Sequence, residues 1–298
     1  MKKIIIVFIL VLSFSFPLAT IEAATTDSEL AYRELALELI AQLQKQIVVL
    51  QAQLKKQKEL ESEKFLGEFT KSVEVVSNYD VGSGQGSLNI TNVKHWKYFD
   101  RVVELFPLEY RDRIERFVVF SDSDRGIDAY VETIPPHHVS WLFGANEEVI
   151  DDVDSNANTE LIVHEFAHVL SYDEMLGVPL PVDAQCDKYF AEKGCPFENS
   201  YIADFVEKFW STEDLSRATI FANSDDSFEK AYQYYKNHRN EYVTDYAALS
   251  PEEDFSETFT DFVLLTRPSG DMVKNQKVNF FYQYPDLLRI RNEIRVSR

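Results

Sequence analysis

The clearest periodic pattern of apolar and polar positions lies between Thr159 and Ser171. At 100° per residue, five apolar residues fall on one face of a helix: Ile162, Val163, Phe166, Val169 and Leu170. His164 and His168 fall almost opposite Phe166. The pattern therefore predicts a helix that buries one apolar stripe and turns two histidines towards a cleft.

A second helix with the same division of faces is predicted after Ser250. Ser250 and Pro251 suit the N-cap and the first turn. The apolar face of this helix is formed by Phe255, Phe259, Phe262 and Val263. Glu253 and Glu257, four residues apart, lie on the opposite face.

The middle of the chain combines helix and strand patterns. A helix is predicted from Val93 to Leu105, and strands are predicted over 115–121, 127–132 and 139–143. Together with the two helices above, these patterns favour an α+β fold.

The N-terminal region predicts a coiled coil. Residues 28–65 contain no glycine or proline, and apolar residues recur with 3-4-3-4 spacing at Ile40, Leu43, Ile47, Leu50 and Leu54. We expect a helical stalk over 25–66 that can self-associate. The alternative is a single helix that packs on the rest of the protein.

The first 24 residues have the pattern of a signal peptide. Lys2 and Lys3 precede an apolar run from Ile4 to Leu18, and the small residues Ala23 and Ala24 follow. Cleavage there predicts a secreted or cell-surface protein, with an uncleaved membrane anchor as the less favoured alternative. Removal leaves about 275 residues, enough for one catalytic domain and an appendage.

Cysteine content and charge narrow the class of protein further. Cys186 and Cys195 are the only cysteines, and in an exported protein they predict one local disulfide, the alternative being two unpaired thiols. The formal net charge of −20 opposes nucleic-acid binding, which requires a basic surface.

The pentapeptide from His164 to His168 has the form H-E-x-x-H, whose two imidazoles can bind one metal ion. Glu165 can then reach a water molecule on that metal. A catalytic zinc site needs a third protein ligand, for which Glu253 is a candidate. Two simpler interpretations remain: an amphipathic helix that happens to carry two histidines, and a capping box in which Glu253 reaches back to Ser250.

This combination resembles the gluzincin metallopeptidases, and most closely the catalytic domain of anthrax lethal factor and bacterial zinc-binding metallopeptidases. In that pattern an H-E-F-x-H helix is followed by a tyrosine and, seven residues later, by an E-x-x-x-E helix, as Tyr246 and Glu253 are spaced here. The resemblance covers roughly residues 115–265, most firmly the two motif helices, and implies a zincin-like domain that holds one Zn²⁺; we place this domain over 67–298. The implied roles are zinc ligands His164, His168 and Glu253, general base Glu165, ligand orientation by Glu257 and oxyanion stabilisation by Tyr246.

The implied function is a secreted zinc endopeptidase acting on peptide or protein substrates. The alternatives are a zinc hydrolase of cell-wall peptides and a non-catalytic surface binding protein on the same fold. The long interval between His168 and Glu253 departs from the family pattern, so Glu257 and Glu252 remain alternative third ligands.

That interval contains an inserted helical segment, about 176–242, which we expect to form a flap or wall of the cleft. Helices are predicted within it over 201–210 and 228–242. The resemblance also suggests that a strand, either 139–143 or 129–132, receives an extended substrate peptide.

Overall fold

A computed structural model describes the chain over residues 32–33, 36–53, 73–82, 89–122, 126–134, 139–173, 186 and 195–298. The chain divides into two compact units, Met1–Gln57 and Lys58–Arg298.

The described part of the first unit is helical, at residues 32–33 and 36–53. The seam residues Ile40, Leu43, Ile47 and Leu50 are all exposed. Leu54 and the predicted signal peptide lie outside the described residues. Within the described part of the chain, no helix is both long enough and apolar enough to cross a membrane.

The second unit is built around a four-stranded mixed sheet. Its strands are β1 (Glu74–Asp80), β2 (Ile114–Ser121), β3 (Ala129–Thr133) and β4 (Trp141–Asn146). The order across the sheet is β1-β2-β4-β3. β2 and β4 are parallel, whereas β1 and β3 run antiparallel to their neighbours at the two edges. The α+β class predicted from the sequence is confirmed.

The third strand lies further along the chain than the predicted range 139–143. It begins at Trp141, whose N–H donates to the Arg113 carbonyl, and it continues through Gly144 to Asn146. A Cβ at Gly144 would lie 1.9 Å from the Tyr130 ring, so only glycine fits in this cross-strand pair. Glycine is a poor strand former, which explains why the sequence pattern ended the strand too early.

Helices make up most of the remaining described residues of this unit. They are α1 (Val93–Leu105), α2 (Leu108–Arg111), α3 (Glu147–Ile150), α4 (Asn156–Asp173), α5 (Tyr201–Phe209), α6 (Thr212–Ala222), α7 (Ser227–Asn237), α8 (Pro251–Leu264), α9 (Val273–Phe281) and α10 (Pro285–Ser297). A 3₁₀ helix, Tyr246–Ala248, precedes α8. α1 has the predicted bounds.

The main core is aromatic and joins the sheet to α1, α4 and α8. Phe117 and Phe143, from the paired strands β2 and β4, contact Tyr98 of α1, with ring centroids 6.3 and 6.5 Å away. Phe166 of α4 lies edge-on to Phe106 and near Phe259 of α8. α4 and α8 pack along each other, so the polar faces of the two helices adjoin.

The described part of the inserted segment is largely helical, but one predicted helix end is wrong and one helix was missed. α7 ends at Asn237 rather than at Tyr242. α6 was not predicted, although Ser211 and Asp214 form a complete capping box at its start. Cys186 and Cys195 form the predicted disulfide.

Candidate metal centre

α4 presents its two histidines because its opposite face is fully buried. Ser155 begins the helix by accepting the Asn158 N–H at 3.1 Å. Phe166 packs into the core, while His164 and His168 are 7% and 8% exposed on the other side. The helix is thus held by its apolar face and turns both imidazoles towards α8.

α8 begins beside these imidazoles. Ser250 is its N-cap and accepts the Glu253 N–H at 3.2 Å, and Pro251 occupies the first turn. The Glu253 carboxylate lies against the two histidines of α4. Ser250 therefore caps the Glu253 N–H, but the Glu253 side chain does not cap Ser250 in return. Its carboxylate lies between the two helices.

Three atoms from these residues form a nearly equilateral triangle. Nε2 of His164 and Nε2 of His168 are 3.1 Å apart, and Glu253 Oε2 lies 3.2 and 3.3 Å from them. Ligands at 2.0–2.1 Å from a tetrahedral metal ion are separated by about 3.3 Å. The triangle therefore has the size of one face of a tetrahedral site, and these three residues could hold one metal ion.

The donor chemistry of the triangle also fits a cation. Glu253 Oε2 is buried and accepts no well-formed hydrogen bond within the described residues, because the nearby imidazole nitrogens approach it at hydrogen-bonding distance without the alignment of one. A buried carboxylate oxygen without a donor is costly. A metal ion at the centre of the triangle would satisfy it together with both imidazole lone pairs.

Burial and charge act in opposite directions on these three groups. Burial alone would lower the pKa of both histidines, but Glu253 outweighs it at each, helped at His164 by Glu257, so both pKa values are raised. Burial would raise the pKa of Glu253, but the two imidazoles lower it well below its usual range. The carboxylate is therefore ionised.

Glu257 lies on the far side of His164. Its Oε1 is 2.7 Å from Nδ1, the ring nitrogen that does not face the triangle. The alignment is not that of a regular hydrogen bond, but Glu257 acts to raise the pKa of His164. From this position Glu257 can fix the tautomer that leaves the Nε2 lone pair free for a metal.

Glu165 is buried next to the triangle and lines an adjoining cleft. The backbone N–H of Val131 in β3 lies near its carboxylate and acts to lower its pKa. Burial raises the pKa of Glu165, and the two neighbouring histidines only partly offset this. A carboxylate with a raised pKa is a better proton acceptor.

Tyr246 reaches the triangle from the 3₁₀ helix. Burial and the nearby Glu253 carboxylate raise the pKa of its hydroxyl, and its ring centroid lies 5.8 Å from that of His164. One ring face is stacked against Phe228 of α7, and the residue is 36% exposed towards the cleft. Arg217 of α6 holds the segment by donating to the Ala248 carbonyl at 2.9 Å.

The remaining sequence candidates lie outside the triangle. Glu252, an alternative third ligand, is buried but does not belong to the group of metal-ligating atoms. Glu257, the other alternative, faces Nδ1 rather than Nε2 of His164.

The cleft beside Glu165 has a volume of about 710 Å³ and runs along α4 towards its N-terminus. Besides the predicted site residues, its wall contains residues that were not identified from the sequence, among them Asn158, Glu160 and Asp261. A signal was available: Glu160 precedes His164 by four residues and Asp261 follows Glu257 by four, so each shares a helix face with a site residue.

Comparisons with models of known protein families, with curated proteins and with solved structures found no match.

Proposed function

We propose that the chain is an exported zinc-dependent metallopeptidase that hydrolyses peptide bonds. The observation that carries this proposal is the triangle of His164, His168 and Glu253 ligand atoms, 3.1–3.3 Å on a side, with the buried Glu165 beside it at the edge of a cleft. Two neutral imidazoles and one carboxylate are the ligand set of zinc hydrolases that retain an open coordination position. The gluzincin resemblance of the two motif helices agrees with it.

A bound zinc ion would supply a Lewis acid and would bring the pKa of a water molecule towards neutrality. Glu165 takes a proton from the attacking water on its carboxylate and later delivers it to the leaving amine. The Tyr246 hydroxyl donates a hydrogen bond to the carbonyl oxygen as negative charge develops there. Glu257 holds the His164 ring in its ligating tautomer throughout.

The β3 edge of the sheet supports binding of an extended peptide. β4 is paired on both sides, so of the two strands suggested from the sequence only β3 has an edge to which no other described strand pairs. The Asp128 carbonyl accepts a hydrogen bond from the Asn146 N–H of β4, and the Ile134 N–H donates to the Ser140 carbonyl just before β4. The Val131 N–H, between them, faces away from β4 and lies near Glu165. A substrate strand added at this edge would pass the catalytic carboxylate.

The zincin-like identity of the fold and the N-terminal coiled coil belong to the same proposal. The mixed sheet with its edge strand beside α4 supports the first, and the exposed seam of the N-terminal helix supports the second. Light scattering of the mature chain should give an oligomer, and Ile47→Lys should give a monomer. If the mature chain is a monomer, the N-terminal segment is a single helix and not a coiled coil.

The proposal is tested by zinc analysis together with the substitution Glu165→Gln. We expect about one zinc per chain in both proteins and a loss of peptide hydrolysis of at least about a thousandfold in the variant. Hydrolysis that survives Glu165→Gln would refute the assigned mechanism. Cleavage of wall fragments but not of a protein-derived peptide library would favour the cell-wall hydrolase, and zinc without hydrolysis would favour the binding protein.

A further inference from the structure

The cleft beside the metal centre is strongly acidic. Besides Glu165, its wall contains five carboxylates, those of Asp128, Asp152, Glu160, Glu257 and Asp261. No lysine or arginine belongs to the wall within the described part of the chain. A cleft with charges of one sign attracts ligands of the opposite sign.

The carboxylates of Glu257 and Glu160 both lie close enough to Asp261 to repel its negative charge. Burial, with the negative charges of Glu257 and Glu160, raises the pKa of Asp261 to about 6, and Lys274 opposes this only in part. Lys274 does not line the cleft. Among the residues that the structure describes, no cation therefore faces the carboxylate cluster from the cleft side.

Asn158 provides an observation that is independent of the carboxylates. It is 5% exposed and lines the same cleft. Its Nδ2 donates to the carbonyl oxygens of Val149 and Asp152 at 2.7 and 2.8 Å, which fixes the amide orientation. Its Oδ1 is buried and has no hydrogen-bond partner in the described residues. A buried acceptor of this kind requires a donor.

Apolar side chains complete the wall of the cleft. Ile127, Leu161, Leu264 and Leu265 lie between the polar groups. Lysine and arginine bury their methylene stems on apolar surface and carry several N–H donors at the tip. The apolar part of the wall therefore suits the methylene stem, and the carboxylates suit the charged tip.

We propose that the cleft binds a positively charged side chain of the substrate, next to the bond cut at the metal centre, and so selects for arginine or lysine at that position. The aliphatic stem lies on the apolar wall, and the head group donates to the carboxylates of Glu160 and Asp261, in a cleft whose wall also contains Asn158 with its unpartnered acceptor. This inference rests on the proposed peptidase function, because it assigns the cleft to that substrate.

The first experiment compares peptides that differ at a single residue. Arginine, lysine, citrulline and norleucine are placed in turn at each position of one fluorogenic peptide, and kcat/KM is measured with the zinc-loaded protein. Citrulline has the shape of arginine without its charge. At one position beside the cleaved bond, arginine should exceed citrulline by about tenfold to a hundredfold, the range of a hydrogen bond to a charged group. Equal rates at every position would overturn the proposal.

The second experiment assigns the preference to the cleft. Asp261→Asn and Glu160→Gln should each lower the ratio of arginine to citrulline by about tenfold, and Glu160 is exposed, so its replacement does not disturb the core. Asp225→Asn removes an equal charge from an exposed turn outside the cleft and should leave the ratio unchanged. A fall of the same size in Asp225→Asn would reduce the preference to net charge and refute the cleft assignment.

Binding separates this inference from the proposed function. Fluorescence anisotropy of the same peptides with zinc-loaded Glu165→Gln protein should show the arginine preference without any hydrolysis. If the wild-type chain cuts nothing but this preference is present, the peptidase proposal fails and the cationic site stands. If calcium displaces the arginine peptide and binds with an affinity that Asp261→Asn abolishes, the cleft is a metal site instead.

The cationic side chain could belong to either of two substrates, a protein chain or a cell-wall peptide that contains a diamino acid. Wall-type peptides that carry a diamino acid therefore form a parallel arm. If kcat/KM is higher for one of these two kinds of peptide when both carry the same cationic residue, that kind is the substrate.

Discussion

The substitution Lys277→Met should severely destabilise the protein because it leaves a carboxylate buried without its cation. Lys277 Nζ lies 2.6 Å from Asp254 Oδ2, and the two side chains are 1% and 0% exposed. Asp254 would keep only the donors of Trp210, at 2.9 Å, and Thr258, at 3.2 Å. Breaking a buried pair by removing one partner costs about 3–5 kcal/mol.

The loss is measured as the free energy of unfolding in urea, followed by fluorescence on zinc-free protein so that metal binding does not contribute. The double variant Asp254→Asn/Lys277→Met removes both charges and keeps an acceptor for Trp210. It should recover at least about 2 kcal/mol of the loss.

Lys230→Met is the matched control. Lys230 and Asp226 are 2.7 Å apart, almost the same distance, but they are exposed, so this change should cost less than about 0.5 kcal/mol. A loss below 1 kcal/mol in Lys277→Met, or a double variant as unstable as the single one, would refute the claim that burial makes the loss of one partner costly to the free energy of unfolding.

Three further predictions concern the site. Glu257→Gln removes the charge that faces His164 Nδ1 and should weaken zinc binding about tenfold to a hundredfold in a chelator competition, whereas unchanged affinity would deny Glu257 its orienting role. Tyr246→Phe should lower kcat by about a hundredfold to a thousandfold with zinc content unchanged, and a kcat within about threefold of wild type would exclude the hydroxyl from oxyanion stabilisation. Asp261→Asn should change the pH dependence of stability, because the pKa of Asp261 is raised to about 6 in the folded protein. The folded state then binds this proton more tightly than the unfolded state, so its stabilising contribution is complete below about pH 4 and is lost as the pH rises through about 6. After allowance for partial exposure, urea titrations should show the variant about 1–2 kcal/mol more stable than wild type at pH 8 and equal to it at pH 4, and equal stability at both pH values would contradict the raised pKa.

The helices of the site could be predicted because their signals are local. The apolar stripe around Phe166 and the cap at Ser250 each lie within a few residues of the histidines and glutamates that they orient. The meeting of Glu253 with His168, 85 positions earlier, depends on how α4 packs on α8. The helix face made Glu253 a candidate ligand, but spacing alone did not place it beside His168, and the family resemblance singled it out.

Features that depend on contacts distant in the chain were missed or misplaced. The extent of β4 depends on the Tyr130 ring lying over Gly144 from the neighbouring strand. The acidic wall combines Glu160 from α4 with Asp261 from α8. Each residue alone resembles an ordinary solvent-facing carboxylate in a sequence of net charge −20. By contrast, the capping box of α6 is local, and Ser211 with Asp214 could have revealed that helix.

The most direct test of the metal centre is the zinc content of two variants that differ by one position, Glu253→Ala and Glu252→Ala, after equilibrium dialysis against buffered zinc. The geometry predicts one zinc per chain in the wild type and in Glu252→Ala, and loss of that zinc in Glu253→Ala. Full zinc content in Glu253→Ala, or none in the wild type, would contradict the assignment of His164, His168 and Glu253 as the metal ligands.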